Sequence, residues 1–242
     1  MNPIVIIPAR MAATRLPGKP LAEIGGRPMI AHVAMRALAA GVGPVVVAAG
    51  EIEIVRAVET LGVKGVLTDP ELPSGSDRIL AALGKVDPHG LHDVVINLQG
   101  DMPGVDPQVI AACARVLAAD PNCDISTVVA PEASPDDRAN PNVVKAILSI
   151  APDALAGRAL YFTRSTLYGD GPVWRHIGIY GYRREALHRF AAAPPSPLER
   201  REKLEQLRAM ELGLSIWAAV ADGAPISVDT PEDLEAARTA LT

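Results

Sequence analysis

The chain is read from residues 4–21, IVIIPARMAATRLPGKPL. Ile4-Val5-Ile6-Ile7 is an apolar, wholly β-branched run, the composition of a strand buried on both faces in a parallel sheet. It empties into a loop with three cations within ten positions, Arg10, Arg15 and Lys19, punctuated by Pro17, Gly18 and Pro20. Glycine permits close backbone approach, proline stiffens the turn, and Arg and Lys supply charge-assisted donors. Such a loop at the carboxyl end of a first strand suits a polyphosphate. The chain has neither GxxxxGK[ST] nor GxGxxG after a strand, so this is not one of the commoner phosphate loops. On composition alone, a solvated basic loop is the competing reading.

Outward from that loop, strands and helices alternate. Gly25-Gly26 marks a turn, and a helix is predicted from Pro28 to about Ala40, with an apolar stripe through Met29, Ile30, Val33, Ala34, Ala37 and Leu38. Strands are predicted at 44–49, 65–68 and 93–98, and helices at 52–61 and 107–119. This alternation implies right-handed βαβ units, with ligands outside the carboxyl ends of the strands. The loops at 8–20, 69–78 and 99–103 then share one rim.

The second half changes character. Strands are predicted at 125–130, 143–150, 158–161 and 177–183, joined by turns and suiting antiparallel additions or a small lobe. Helices follow at 184–192 and 198–212, then a strand at 214–220 and a closing helix at 231–241. The expected organisation is one α/β domain. It is read in three parts, 1–125, 126–220 and 221–242, the last carrying the closing helix.

Composition narrows the class. Of 242 residues nearly half are apolar and 3% aromatic, so the core is aliphatic. A net charge of −5 argues against nucleic acid and gives no sign of a membrane surface. The N-terminus enters the first strand without a basic leader, and charges interrupt every long apolar stretch, so a cytoplasmic protein is expected. Cys113 and Cys123 have no metal-ligand spacing and read as reduced thiols.

Asp101 follows a buried strand between Gly100 and Met102-Pro103, where a divalent cation bridging phosphates would be held. A turn or N-cap aspartate is the plainer alternative. Asp229 heads DTPEDL, in which Thr230 caps a helix and Pro231 takes its first position. With Arg10, Arg15 and Lys19 the two aspartates suggest a nucleoside triphosphate site with metal. Ser74-Gly75-Ser76-Asp77-Arg78 opens a helix and suits a base or phosphate, or a cap from Ser76 or Asp77.

These pieces, with NLQGDMP (97–103), NPNVVK (140–145), ALYFTRS (159–165), RHIGIYGYR (175–183), PSPLE and LEQLR (195–208) and VDTPEDL (228–234), resemble the 3-deoxy-manno-octulosonate cytidylyltransferase family over nearly the whole chain. The resemblance implies a nucleotide-diphospho-sugar transferase-like α/β fold, Rossmann-like, with a mixed, mostly parallel sheet flanked by helices and a small antiparallel lobe. It implies a homodimeric enzyme that joins CTP to the sugar acid 3-deoxy-manno-octulosonate (Kdo), giving CMP-Kdo and pyrophosphate for lipopolysaccharide biosynthesis. By matching motifs, Pro8, Ala9, Arg10, Arg15, Lys19, Ser74, Gly75, Arg78 and Gln99 would hold CTP, and Asp101 and Asp229 would bind Mg²⁺. Arg10, Lys19 and the two aspartates would carry the catalysis. Gln99, Arg164, His176, Tyr180, Glu205 and Gln206 would recognise Kdo, whose carboxylate suits Arg and whose hydroxyls suit Glu, Gln, His and Tyr.

From the residues alone, His176 and Tyr180 also fit a core-facing strand, and Glu205 and Gln206 a solvated helix face. Alternatives in function are CMP transfer to 8-amino-Kdo or a sialic acid, and a nucleotide-binding regulatory protein without turnover. The chain departs from the family where VATD is usual, reading Val47-Ala48-Ala49-Gly50, followed by Glu51. It also has Met102 where many relatives have Glu, a position read as variable.

Overall fold

Every residue from Ile4 to Ile7 is almost fully buried, as the uninterrupted apolar run requires of a central strand. The computed structural model describes residues 1–12, 15–132 and 134–241; Ala13 and Thr14 of the cationic motif lie outside them. The chain divides into two units, Met1–Ala111 with Pro225–Thr242, and Ala112–Ala224. These units divide at 111/112, inside a helix, and at 224/225, whereas the three parts read from sequence divide at 125/126 and 220/221.

The first unit opens with β1 (Pro3–Ala9), a ribbon of β2 (Glu23–Ile24) and β3 (Arg27–Pro28), and α1 (Met29–Ala39). It continues with β4 (Val45–Ala49), α2 (Ile52–Glu59), β5 (Lys64–Leu67), α3 (Gly75–Val86) and β6 (Val94–Asn97). Its strands run in the order β5-β4-β1-β6, all parallel. The loops after β1, β5 and β6 therefore leave the same edge, the carboxyl edge predicted to bind ligand. In α1 the buried stripe is Met29, Ile30, Val33, Ala34 and Ala37, while Leu38, assigned to that stripe from sequence, is exposed.

From α4 (Pro107–Ala119) the chain passes to β7 (Ile125–Pro131), β8 (Lys145–Ser149), β9 (Ala156–Thr163) and β10 (Trp174–Arg183). Helices α5 (Arg184–Ala192), α6 (Pro197–Glu202) and α7 (Gln206–Glu211) precede β11 (Ile216–Val220). The order is β10-β7-β11-β9-β8, and β8 also pairs with the start of β10. These pairs are antiparallel except β7–β11, which is parallel, so the sheet is mixed as expected.

The single helix predicted at 198–212 is two. Lys203 takes left-handed backbone angles (φ 55°) and ends α6, which opens with a capping box between Ser196 and Glu199. The break lets Leu204 be buried and brings Arg208 back onto Glu199. Cys113 and Cys123 are buried free thiols, and burial pushes both up to about 12, so neither is reactive.

The last helix, α8 (Pro231–Leu241), belongs to the first unit. Its Leu234 and Ala237 pack with Val228 against Ile24 and Met29, and Arg238 donates to the Glu23 carbonyl at 2.8 Å. That apolar contact returns the C-terminal segment to the N-terminal loop.

Candidate active site

At the carboxyl edge of β1 and β6 the first unit has a cleft of about 380 Å³. Pro8, Ala9, Arg10, Lys19, Ser74, Gly75, Arg78 and Gln99 line it, the sequence-predicted nucleotide set except Arg15, and so does Asp101, one of the two predicted metal ligands. Gly100 is required at its rim, because a Cβ there would come within 2.8 Å of the Pro8 carbonyl oxygen. Gly18, at φ 73°, makes the turn into the 3₁₀ segment Lys19–Leu21 that presents Lys19.

Lys19 gathers the charged residues. Its ammonium donates to Asp101 Oδ2 at 3.0 Å, Asp229 Oδ1 at 3.1 Å and the Val228 carbonyl at 3.0 Å. Arg15 reaches the other oxygen of Asp229 at 3.1 Å. Asp229 arrives because Val228 N–H donates to the Asp101 carbonyl at 2.9 Å and the α8 contact holds the segment. The predicted cap is present: Thr230 Oγ1 accepts from Asp233 N–H, and Asp233 accepts from the Asp229 and Thr230 N–H groups. Burial raises Asp233, but those hydrogen bonds outweigh it and hold its carboxyl below the usual range.

Asp101 Oδ1 is buried and has no hydrogen-bond partner. Burial pushes this carboxyl up, Lys19 pulls it back by charge and hydrogen bond, and Asp229 adds to the rise. A desolvated carboxylate with an orphaned oxygen, beside a second carboxylate, fits a hard divalent cation that takes few protein ligands. Among the described residues no cluster of three or more His, Cys, Asp or Glu forms a closed metal cage.

Along the same cleft Ser74 caps α3: its hydroxyl accepts from Asp77 N–H at 3.1 Å and donates to the Asp77 carboxylate at 2.7 Å. The cap is Ser74 itself, not Ser76 or Asp77 as the sequence allowed. Arg78 is 2% exposed and organises the neighbouring loop, donating to Thr68 Oγ1 and to the Asp69 and Pro70 carbonyls. Glu51, one position beyond the VAAG departure, accepts from Met11 N–H at 2.9 Å, so a carboxylate still pins the cationic loop. Arg10 donates to the Leu72 carbonyl at 3.4 Å, Gln99 to Asn97 Oδ1 at 3.2 Å, and Met102 is buried.

The second unit gathers the predicted sugar residues differently. His176 and Tyr180 share one face of β10 with ring centroids 5.4 Å apart, flanked by Phe162 and Tyr182. A bulge between Ile177 and Tyr180 re-aims the strand there. Thr127 Oγ1 donates to the Ile179 carbonyl at 2.8 Å and lies 2.9 Å from His176 Nε2. With its single proton committed, the hydroxyl accepts from Nε2–H, which assigns Nδ1 as an acceptor. Burial lowers His176 to about 3, so the ring is neutral near pH 7, and burial raises the Tyr180 hydroxyl well above its ordinary value.

Gln206 is 6% exposed and its Nε2 has no partner, the condition of a donor meant for a ligand. The solvated-face alternative for α7 fails, since Gln206, Leu207, Arg208 and Ala209 are all buried. Glu205 accepts from Arg208 at 3.0 Å. Sequence reasoning passed over Arg208, which forks onto Glu199 at 2.9 and 3.1 Å and lies 4.5 Å above the Phe190 ring. Arg164 directly follows β9 and, with Ser165, Arg201, Glu202 and Lys203, lines a cavity of about 540 Å³.

Fold and site define a nucleotide-diphospho-sugar transferase-like α/β protein. A UDP-glucose pyrophosphorylase complexed with UDP-glucose has the same fold, with a TM-score of 0.72 at 14% identity over all of this chain and 98% of its own. Residues 4–216 match the sequence family described as Cytidylyltransferase. A 3-deoxy-manno-octulosonate cytidylyltransferase of Parvibaculum lavamentivorans is 59% identical over 99% of this chain and 93% of its own. A CMP:2-keto-3-deoxy-manno-octonic acid synthetase structure, complexed with CTP, superposes with a TM-score of 0.91 at 36% identity, covering 100% of this chain and 98% of that one. The chain belongs to the 3-deoxy-manno-octulosonate cytidylyltransferase family.

Proposed function

We propose that this protein is a nucleotidyltransferase that joins CTP and Kdo to give CMP-Kdo and pyrophosphate, supplying activated sugar for lipopolysaccharide. Family membership names the reaction, and the cation-lined cleft with the orphaned oxygen of Asp101 is the observation that carries the reading. The anomeric C2 hydroxyl of Kdo attacks the α-phosphorus of CTP in line. The bond from that phosphorus to the pyrophosphate oxygen breaks, its electron pair leaves on pyrophosphate, and the hydroxyl proton passes to solvent.

No side chain needs to act as a covalent nucleophile. Arg10, Arg15 and Lys19 neutralise charge developing on the phosphates, and Ser74, Gly75, Arg78 and Gln99 shape the nucleotide end. Asp101 and Asp229 would hold Mg²⁺, which supplies charge neutralisation at phosphate oxygens. Lys19 is bonded to both aspartates and lines the same cleft, so one ammonium serves carboxylates and phosphates together. In the second unit, neutral His176, Tyr180, Glu205 and the unpartnered amide of Gln206 read sugar hydroxyls, and Arg164 reads the carboxylate.

The working form is read as a cytoplasmic homodimer, which sedimentation would check. Among the described residues no helix is long and apolar enough to cross a membrane. Pyrophosphate release with CTP, Mg²⁺ and Kdo, beside 8-amino-Kdo, sialic acid and no-sugar controls, tests the reaction. Release that needs Kdo and Mg²⁺ and fails with UTP or ATP is expected. CTP binding without release for any sugar would overturn it.

A further inference from the structure

Arg164 has both its backbone N–H and its carbonyl held by polar side chains with little exposure, those of Glu202 and Lys145. Lys145, on β8 and with no exposed surface, donates from Nζ to the Arg164 carbonyl at 2.9 Å and to the Asn140 carbonyl at 2.9 Å. Glu202, ending α6 with its side chain 10% exposed, accepts the Arg164 N–H at 3.1 Å and the Thr163 hydroxyl at 3.1 Å on one oxygen. Thr163 Oγ1 in turn accepts from Ser165 N–H at 3.0 Å. One of the five guanidinium donors of Arg164 goes to the Pro141 carbonyl at 3.0 Å, on the same loop that Lys145 holds through Asn140.

This is a costly way to build a strand. A buried ammonium bonded to two carbonyls pays desolvation that a well-packed apolar side chain would avoid. Desolvation lowers Lys145, Arg164 lowers it further, and Asp137 and Glu202 oppose with smaller effects. What the arrangement secures is the backbone of a single residue, gripped from a strand on one side and a helix on the other. That residue lines the cavity with Ser165, Arg201 and Lys203, where the cations outnumber the one carboxylate, Glu202. Both Glu202 oxygens are already engaged, since its other oxygen takes the Tyr161 hydroxyl at 3.5 Å and lies 3.6 Å from Arg201.

We propose that Lys145 and Glu202 are positioning residues for the sugar acid: together they fix the Arg164 backbone so that its guanidinium is presented to the substrate carboxylate. The proposal rests on the reading of Arg164 as the carboxylate partner. Neither residue touches substrate; each acts through Arg164. Losing either grip lets the guanidinium wander, and misplacement on the ångström scale weakens a charge-assisted contact severely.

Steady-state kinetics of Lys145→Met, Glu202→Gln, Arg164→Gln and the Lys145→Met/Arg164→Gln double variant, with Kdo and with its C1 methyl ester, test this. Lys145→Met should raise KM for Kdo about 10-fold or more, and Glu202→Gln somewhat less, with KM for CTP unchanged. Both effects should shrink with the ester, and Lys145→Met should add nothing to Arg164→Gln. A merely structural role would lower the melting temperature without this selectivity for the carboxylate. Should Lys145→Met not fold, the near-isosteric Glu202→Gln decides alone. An Arg164→Gln enzyme with wild-type KM for Kdo overturns the carboxylate reading of Arg164. Sensitivity at Arg164 with folded but silent Lys145 and Glu202 variants, or additive losses in the double variant, overturns the positioning role alone.

Discussion

In the first unit Lys19 stands 3.0 Å from Asp101 and 3.1 Å from Asp229, and Asp101 keeps a buried oxygen without a partner. In the second, Arg208 spends its five donors inside the chain, on Glu199, Glu205 and the Phe190 and Ala193 carbonyls. The first arrangement holds its charges so that a ligand can exchange with them. The second locks its charges away and uses them to set the shape of a surface. A triphosphate with its metal brings charge to be neutralised, so its site must keep charge available. On the proposed function the second unit would read a sugar acid, with its carboxylate and hydroxyl partners set in place before the ligand arrives.

The contrast breaks first at Arg208. Arg208→Met leaves Glu199 half-buried without its fork and should cost about 3–5 kcal/mol of stability in urea titration, if the second unit is held by this residue. A loss under about 1 kcal/mol would mean the network is an ordinary surface cluster. Next is Asp101→Asn, which should lower kcat about 10²–10³-fold while CTP affinity changes little, with stability near wild type. Comparable turnover would remove Asp101 from the metal role.

The last test sharpens the comparison through pH. Folded His176 does not take a proton until about pH 3, whereas the unfolded chain takes one near the ordinary value of 6.5. Between those values the unfolded state holds the extra proton, so the stability contributed by His176 is complete above about pH 6.5 and is lost as pH falls towards about 3. Denaturant midpoints of His176→Gln should therefore fall less steeply than wild type across that window. Parallel curves would show that the ring is not held neutral by burial.

Much of the nucleotide half was legible in the sequence because its residues are close together along the chain. Arg10, Arg15 and Lys19 share one segment after β1, Ser74 to Arg78 open one helix, and Gln99 and Asp101 lie in the loop that follows one strand. Strand periodicity and turn chemistry sufficed to put those loops on one edge. Roles were less legible: Arg78 grips Thr68, Asp69 and Pro70, and Ser74 caps its helix, functions that depend on neighbours no motif names.

In the sugar half the split of the predicted 198–212 helix at Lys203 was hidden because helix periodicity continues through it, and only the burial of Leu204 and the Arg208–Glu199 fork reward the break. Lys145 did leave a signal, a lone lysine in an apolar strand pattern. Its partners, Asn140 and Arg164, could not be read from that pattern.

By itself the sequence determined the parallel nucleotide sheet, the cationic loop and the family, since hydrophobic period, glycine and proline placement and motif order are local properties of the chain. Only the tertiary structure decided that Asp229 meets Lys19, that Asp101 keeps an unpaired oxygen, that His176 stays neutral, and that Lys145 and Glu202 grip Arg164. The reason is physical: burial sets what an unpaired charge costs, and burial is a property of the packed molecule, not of any stretch of its sequence.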